Sequence, residues 1–388
     1  MKKFLAIILL LCLFSTFTAC IPTGGENEDS ETVTETETET ETEKETEKEE
    51  ETVPQEKLER NTYALKDNVG SLKLYGRMAA TNKGITCDFA ASGIEFNVYA
   101  RGFVKLNVTH ELQTFESHKN DDVYLAIIVD GVRDPRRYKV PSGKTEEMNI
   151  AYFEEAGAHT IQILRETEIK NGLLTLESLT LVGRLEEKPA DEELYVEFIG
   201  DSITSGYGNL ITNGINPAGD ADYKDALQAY SYLTAKALGA DFSLVSNSGM
   251  GLTAGYRPVK VRDFYKAEAY YRSATKVYAP TRTPDVVVIN IGTNDQAKNA
   301  DTATFKNDVK ALIADVRSLY GEDVKIVWAY GMMMDGYISH VLEATAGMEN
   351  FYTVELPNNR SAGGGHPNLD THKAASEALA KFIKENVL

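Results

Sequence analysis

Cysteine is almost missing from this chain: there are three in 388 residues, Cys12, Cys20 and Cys87. So few, so far apart, exclude a disulfide framework and leave no ligand spacing for a structural metal. With Cys12 assigned to a cleaved leader and Cys20 to lipid attachment (below), Cys87 has no partner and reads as a small buried filler. Histidine is scarce as well, with six in all. His110, His118 and His159 are scattered through the first half and read as surface or hydrogen-bonded side chains rather than ligands. The apolar run from Phe4 to Phe17 is too short to span a bilayer. Positive charge is in deficit, 40 Lys and Arg against 59 Asp and Glu for a net charge of −19, which argues against nucleic acid as a partner. What remains is globular in composition, 42% hydrophobic and 9% aromatic, and long enough for two domains.

The two ends of that composition are unevenly distributed. Met1-Lys2-Lys3 followed by the apolar run is a basic n-region and an h-region, and it ends in Phe17-Thr18-Ala19-Cys20. This resembles a bacterial lipobox, which implies a signal peptide over 1–19, cleavage before Cys20, lipidation of its thiol and export to the outer face of the cell membrane. An ordinary secretory signal with an incidental cysteine is the rival. Residues 26–59 then hold 16 acidic and 3 basic residues in Thr-Glu repeats. With almost nothing apolar to bury, residues 20–59 are expected to form a disordered, self-repelling spacer.

From about 60 to 186 the pattern is strand after strand. Ile94-Glu-Phe-Asn-Val-Tyr and Val104-Lys-Leu-Asn-Val alternate apolar and polar, and Tyr124–Val129 precedes an Asp130-Gly131 turn. Ala158–Arg165 and Leu179–Gly183 complete the set, which predicts a β-sandwich. Glu186-Glu-Lys-Pro-Ala-Asp-Glu-Glu is a polar hinge. Beyond it, from about 190 to 388, strands at 194–199, 242–246, 284–291, 324–330 and 351–356 alternate with helical patterns at 226–238, 258–276, 304–319, 337–347 and 371–386. The expected architecture is α/β, a parallel five-stranded sheet in a three-layer α/β/α arrangement, with its site beyond the carboxyl ends of the strands.

The loops at that edge carry chemistry. Val196–Ile199 runs into Gly200-Asp201-Ser202, delivering a hydroxyl that needs a base and oxyanion donors to react. Asn247-Ser-Gly-Met-Gly-Leu-Thr can turn backbone amides toward a ligand, or be a plain turn. Gly292-Thr-Asn-Asp offers the Asn294 amide, although Asn294 and Asp295 equally suit an Asx turn or a helix cap. Gly363-Gly-Gly-His-Pro-Asn holds His366 in a glycine loop. Each block alone is weak; their conjunction, in this order, is not.

These four blocks resemble those of the SGNH hydrolase superfamily. A β-sandwich ahead of them, and the stretch Asp225–Leu238, narrow the likeness to carbohydrate esterase family two, over about 60–388. The resemblance implies a jelly-roll domain packed on an SGNH domain that removes acetyl groups from plant polysaccharides such as xylan or glucomannan. It makes Ser202 the nucleophile and one backbone oxyanion donor, Gly251 a second amide donor in preference to Gly249, Asn294 the side-chain donor, and His366 the general base and then acid. No metal or organic cofactor is implied, and the partners are an acetylated polysaccharide or oligosaccharide, with the membrane reached only through the lipid. One departure stands out. The superfamily's aspartate three residues before the histidine is Gly363 here. A main-chain carbonyl of the 363–365 loop is expected to accept the imidazole Nδ1 hydrogen instead, with Asp370 or Asp335 as alternatives.

Sugar faces stack on aromatics, and Tyr207, Tyr256, Tyr265, Tyr270, Tyr271, Tyr330 and Tyr337 supply candidates, most of them for packing. Trp328 sits inside a strand and is expected to be buried. Met332-Met-Met could floor an acyl pocket or fill the core. Against the esterase stand two rivals: another SGNH enzyme (peptidoglycan O-acetyl esterase, lipase or thioesterase), and a surface carbohydrate-binding lipoprotein without hydrolysis.

Overall fold

The computed structural model describes residues 57–113, 121–212, 221–267 and 277–388. Cys20, the leader, most of the acidic spacer, His118, Tyr270 and Tyr271 lie outside the described residues. Nine strands form the first domain: β1 (Arg60–Ala64), β2 (Lys73–Tyr75), β3 (Ile85–Thr86), β4 (Gly93–Glu111), β5 (Val123–Val129), β6 (Val132–Arg133), β7 (Tyr138–Val140), β8 (Thr145–Arg165) and β9 (Leu173–Leu185). All pair antiparallel in one sheet of order β1-β9-β4-β8-β5-β6, with β2, β3 and β7 added at its margins. Where the sequence predicts separate strands at 94–99 and 104–108, the structure has one strand of 19 residues. Its two halves meet at register breaks around Ala100–Gly102 and Val104–Lys105, and Gly102 takes a positive φ of 73° there. Ile94, Phe96 and Val98 from one half and Val104, Leu106 and Val108 from the other bury into the same apolar cluster, so both halves of one long strand line a single core. Cys87 is buried in this core, where loss of solvent pushes its thiol up to about 11.

The second domain is built on β10 (Leu194–Gly200), β11 (Ala240–Ser246), β12 (Val286–Asn290), β13 (Lys325–Tyr330) and β14 (Phe351–Glu355), all parallel, in the order β11-β10-β12-β13-β14. Strands buried on both faces read as continuous apolar runs, and Val286-Val-Val-Ile is fully inside. Alternate side chains go to opposite layers. Val196 and Phe198 pack with α1 (Tyr230–Leu238) and α6 (Leu369–Asn386). Ile199, Val287 and Ile289 pack with α4 (Thr302–Tyr320) and α5 (Ile338–Thr345). Side-chain caps start two of these helices: Asp301 accepts from Thr304 N at 2.8 Å, and Asn368 from Thr371 N at 2.8 Å.

Two helical expectations need correction. The pattern at 226–238 splits into a 3-10 turn (Ala226–Gln228) and α1, because Ala229 between them is extended. The helix expected over 258–276 is, among the described residues, only α2 (Val261–Phe264). Just beyond it Arg77 donates to the Tyr265 carbonyl, and Ala267 bridges to Val277. α3 (Thr293–Ala297) completes the α-helices among the described residues. Trp328 is buried, and Met332 and Met334 fill the two cores on either side of the sheet rather than an acyl pocket.

Candidate active site

Strand order reverses around β10, which has β11 on one side and β12 on the other. The crevice at such a reversal is where open α/β sheets bind ligands, and Ser202 comes immediately after β10. The turn that presents it is tightly tied: Asp201 Oδ1 accepts from Ile203 N at 3.0 Å, Ser205 N donates to Asp201 O, and Tyr207 N to Ser202 O. Gly200 must be glycine, since a Cβ there would lie 1.8 Å from Thr204 Oγ1.

The structure brings His366 to this serine from 164 residues away, with Nε2 2.8 Å from Ser202 Oγ. On the other side of the ring, Nδ1 is 3.1 Å from the Gly363 carbonyl. A carbonyl only accepts, so Nδ1 carries the proton and Nε2 offers its lone pair to the serine hydroxyl. Gly364 and Gly365 hold φ of 65° and 72°, a left-handed course that brings the carbonyl back under the ring. Burial pushes His366 down to about 4, against the Gly363 carbonyl; the Lys170 charge pushes it lower still. The two alternative carboxylates are elsewhere: Asp335 pairs with Arg360 at 2.7 Å, and Asp370 is exposed in the first turn of α6.

The donors expected for the oxyanion are less uniform. The backbone N–H groups of Ser202 and Gly251 make no hydrogen bond among the described residues. Asn294 is at the site, but its Nδ2 donates to Asp201 Oδ2 at 3.0 Å and to Met250 O at 2.7 Å, so both amide hydrogens are engaged in bracing the two loops. Asp295 does what the sequence did not suggest. Its carboxylate accepts from Leu252 N, Thr253 N and Ala254 N at 2.9, 2.6 and 2.8 Å, gathering the glycine loop from the next strand's end. Burial pushes Asp295 up, and Asp201, enclosed beside Asp295 and Glu168, up to about 7.

Sequence reasoning also missed Glu168, which belongs to the first domain. It is buried, and it accepts from Ser248 N and Ser248 Oγ, each at 2.7 Å, and from Lys224 Nζ at 3.1 Å. Its Glu-Thr-Glu context reads only as a polar turn between strands; partners 56 and 80 residues away leave no periodic signal. Of the tyrosines, Tyr207 is half-buried with its ring 4.7 Å from that of His366. Tyr256, 66% exposed, is tied by its backbone N–H to the Gly249 carbonyl and has Lys298 over its ring. Tyr265 and Tyr337 serve packing, and Tyr330 packs against the second core.

Comparison with known proteins matches residues 198–386 to the GDSL-like lipase/acylhydrolase family and residues 74–189 to the carbohydrate esterase 2 N-terminal family. The cellulase/esterase CelE of Acetivibrio thermocellus is 30% identical over 83% of this chain, which spans 40% of CelE's length. An acetylxylan esterase/glucomannan deacetylase of Cellvibrio japonicus is 23% identical over 85% of this chain and 93% of its own. A family two carbohydrate esterase from Clostridium thermocellum, solved in complex with cellohexaose, superimposes with a TM-score of 0.71 at 26% identity, covering 81% of this chain and 98% of that one.

Proposed function

From a chain that carries a GDSL-like lipase/acylhydrolase domain behind a carbohydrate esterase 2 N-terminal domain, we propose a carbohydrate O-acetyl esterase that deacetylates plant polysaccharides such as xylan or glucomannan. The observation that carries the reading is the 2.8 Å contact of Ser202 Oγ with an imidazole whose far nitrogen is spoken for by a carbonyl. His366 Nε2 takes the serine proton as Oγ attacks the acetyl carbonyl carbon. The tetrahedral oxyanion collapses by breaking the bond to the sugar oxygen, and His366 returns the proton to that oxygen as it leaves. Water, deprotonated by the same imidazole, then releases acetate from the acetyl-serine.

The oxyanion would meet the N–H groups of Ser202 and Gly251, preorganised donors whose loss costs about 10²–10³ in rate in other hydrolases. Asn294 can join them only by sharing a hydrogen it now gives to Asp201 or Met250. Tyr256, exposed on the glycine loop's return, suits stacking against a sugar. The cellohexaose in the Clostridium structure supports a carbohydrate ligand.

Turnover of an aryl acetate, abolished by Ser202→Ala and by His366→Ala, tests the mechanism; persistence in either variant overturns it. Acetate release compared across acetylated xylan, acetylated glucomannan and O-acetylated peptidoglycan tests the substrate class, and preference for the last would favour a wall esterase. For location, we propose export and lipid anchoring at Cys20, supported by the basic and apolar residues before it. Fatty-acid labelling lost in Cys20→Ser is the expected result, and unlabelled wild-type protein would refute it.

A further inference from the structure

We propose that Glu168, carried by the β domain, is a positioning residue for the hydrolytic site, so that the two domains jointly hold one active centre. The proposal rests on the esterase reading of Ser202 and His366. Its ground is geometric. The turn bearing Glu168 is fixed by Arg165, whose guanidinium donates to the carbonyls of Cys87, Thr167, Glu168 and Gly172 at 2.6–3.0 Å. From that anchored turn the two carboxylate oxygens reach separate donors on Ser248, one the backbone N–H and the other the hydroxyl. Ser248 is the residue before the Gly249-Met-Gly251 bend, and on its far side its carbonyl accepts from Arg257 Nε at 2.6 Å. The first domain thus grips one end of the loop whose other end Asp295 holds.

The same carboxylate organises the general base. Lys224 Nζ and Lys170 Nζ lie 3.1 and 3.5 Å from Glu168 Oε1, and both ammonium groups face the Tyr207 ring, at 5.1 and 3.9 Å from its centroid. Tyr207 in turn leans on His366. The groups facing the imidazole are therefore Ser202, the Gly363 carbonyl and Tyr207, with Lys170, Lys224 and Glu168 behind the tyrosine and His372 on α6. Glu168 is the counter-charge shared by Lys170 and Lys224 behind that ring, and burial pushes the Lys224 ammonium well below its usual range. Burial pushes its carboxyl up, but the Lys224 and Lys170 charges and the two Ser248 donors outweigh that and hold it down at about 2. Tyr207, half-buried between Lys170 and the His366 ring, acts as a wall and not as a sugar platform. A β domain that merely bound glycan, or merely buttressed the fold, would need no ionised side chain at this point.

The experiment measures kcat/KM for an aryl acetate against pH, and thermal stability, on the full chain. Glu168→Gln leaves Lys224 buried without its counter-charge and is expected to lose stability, so Glu168→Gln/Lys224→Met, which removes both charges together, is read beside it. The double variant is expected to fold and to lose about 10²-fold in kcat, with KM little changed, because a loop misplaced by about 1 Å costs that much. Wild-type kcat in a folded double variant overturns the proposal. Should neither variant fold, Ser248→Ala, which gives up one of the two donors, is expected to fold with a modest loss of stability and to lose about tenfold in kcat; an unchanged kcat there overturns it equally. Lys170→Met removes one of the charges behind Tyr207 and is expected to move the acid limb of kcat/KM up by about half a pH unit. A limb that stays put overturns the electrostatic half of the proposal. Ser202→Ala, run in parallel, keeps the two readings apart: if it retains turnover the esterase assignment fails, whereas a dead Ser202→Ala with unaffected Glu168 variants sinks only this inference.

Discussion

The titration of His366 is the most direct report on the site. A general base works unprotonated, so kcat/KM falls as pH drops through the folded-state value of the imidazole. A free histidine would put that fall between about pH 6 and 7. Here burial outweighs the Gly363 carbonyl and holds the ring at about 4, some way below its ordinary 6.5. The difference corresponds to roughly 3 kcal/mol against the imidazolium. The expected profile is flat from about pH 7.5 to 5, with an acid limb near 4. It would be measured as acetate release from an aryl acetate, with circular dichroism at each pH to exclude unfolding. That control matters because His366 and His372 are both pushed down, His372 to about 3, by burial. Neutral buried histidines contribute stability that is complete above 6.5 and is drained as pH falls toward their folded values. Glu168 adds to this loss only at lower pH, since its contribution is complete above 4.5 and is drained as pH falls toward about 2. An acid limb centred between pH 6 and 7 in protein that is still folded would refute the reasoning, because it would require a charged acceptor beside Nδ1 that outweighs desolvation.

Three further outcomes follow from the same geometry. Gly363→Asp places a carboxylate in the buried turn whose carbonyl now meets Nδ1, and in folded protein the acid limb is expected to move up with a rate gain below tenfold, because Nδ1 already has an acceptor; an unmoved limb would mean the new carboxylate does not reach the ring. Asn294→Ala removes the brace between Asp201 and Met250 as well as any oxyanion contact, and should cost about 10²–10³ in kcat with less effect on KM; a kcat within about threefold of wild type would assign Asn294 no part in the reaction. Arg77→Ala strands the buried Glu197 carboxylate, which Arg77 contacts at 3.1 Å through both oxygens, with only the Tyr265 and Tyr320 hydroxyls left, and should cost about 3–5 kcal/mol in urea denaturation; an unchanged midpoint would show that the two tyrosines suffice.

Much of the site was legible because its parts are local in sequence. A fully buried strand is a run of β-branched residues, so β10 and β12 announce themselves, and each is followed within a few residues by the polar group that it delivers. The glycines around His366 mark a chain course that only glycine follows easily, and the family resemblance, with glycine at 363, raises a main-chain carbonyl as the acceptor beside Asp370 and Asp335; the structure has the Gly363 carbonyl there. What did not show is what depends on contact between elements with no common period. The apolar spacing at 258–276 is a helical pattern, yet among the described residues the helix stops at Phe264, and Arg77, almost 190 residues earlier, donates to the next carbonyl. Asn294 and Asp295 were rightly placed at the edge of the sheet, but that both brace loops is decided by the position of Met250 and of three amides on another segment.

Glu168 is the extreme case. The polar hinge at 186–193 separates the two halves along the chain, and a reader of sequence naturally stops the site there. Space does not respect that division. The Arg165–Asn171 segment lies against 221–228 and Ser248: Glu166 carries Arg133 and Arg137 and accepts Ala226 N through its carbonyl, while Glu168 carries Lys224 and Ser248. Charges buried this completely stabilise little compared with apolar substitutes of the same size, so fold stability alone gives no reason for an ionised carboxylate at this spot. Its partners do: one is the residue that leads into the glycine bend, and the others stand behind the ring that backs the imidazole.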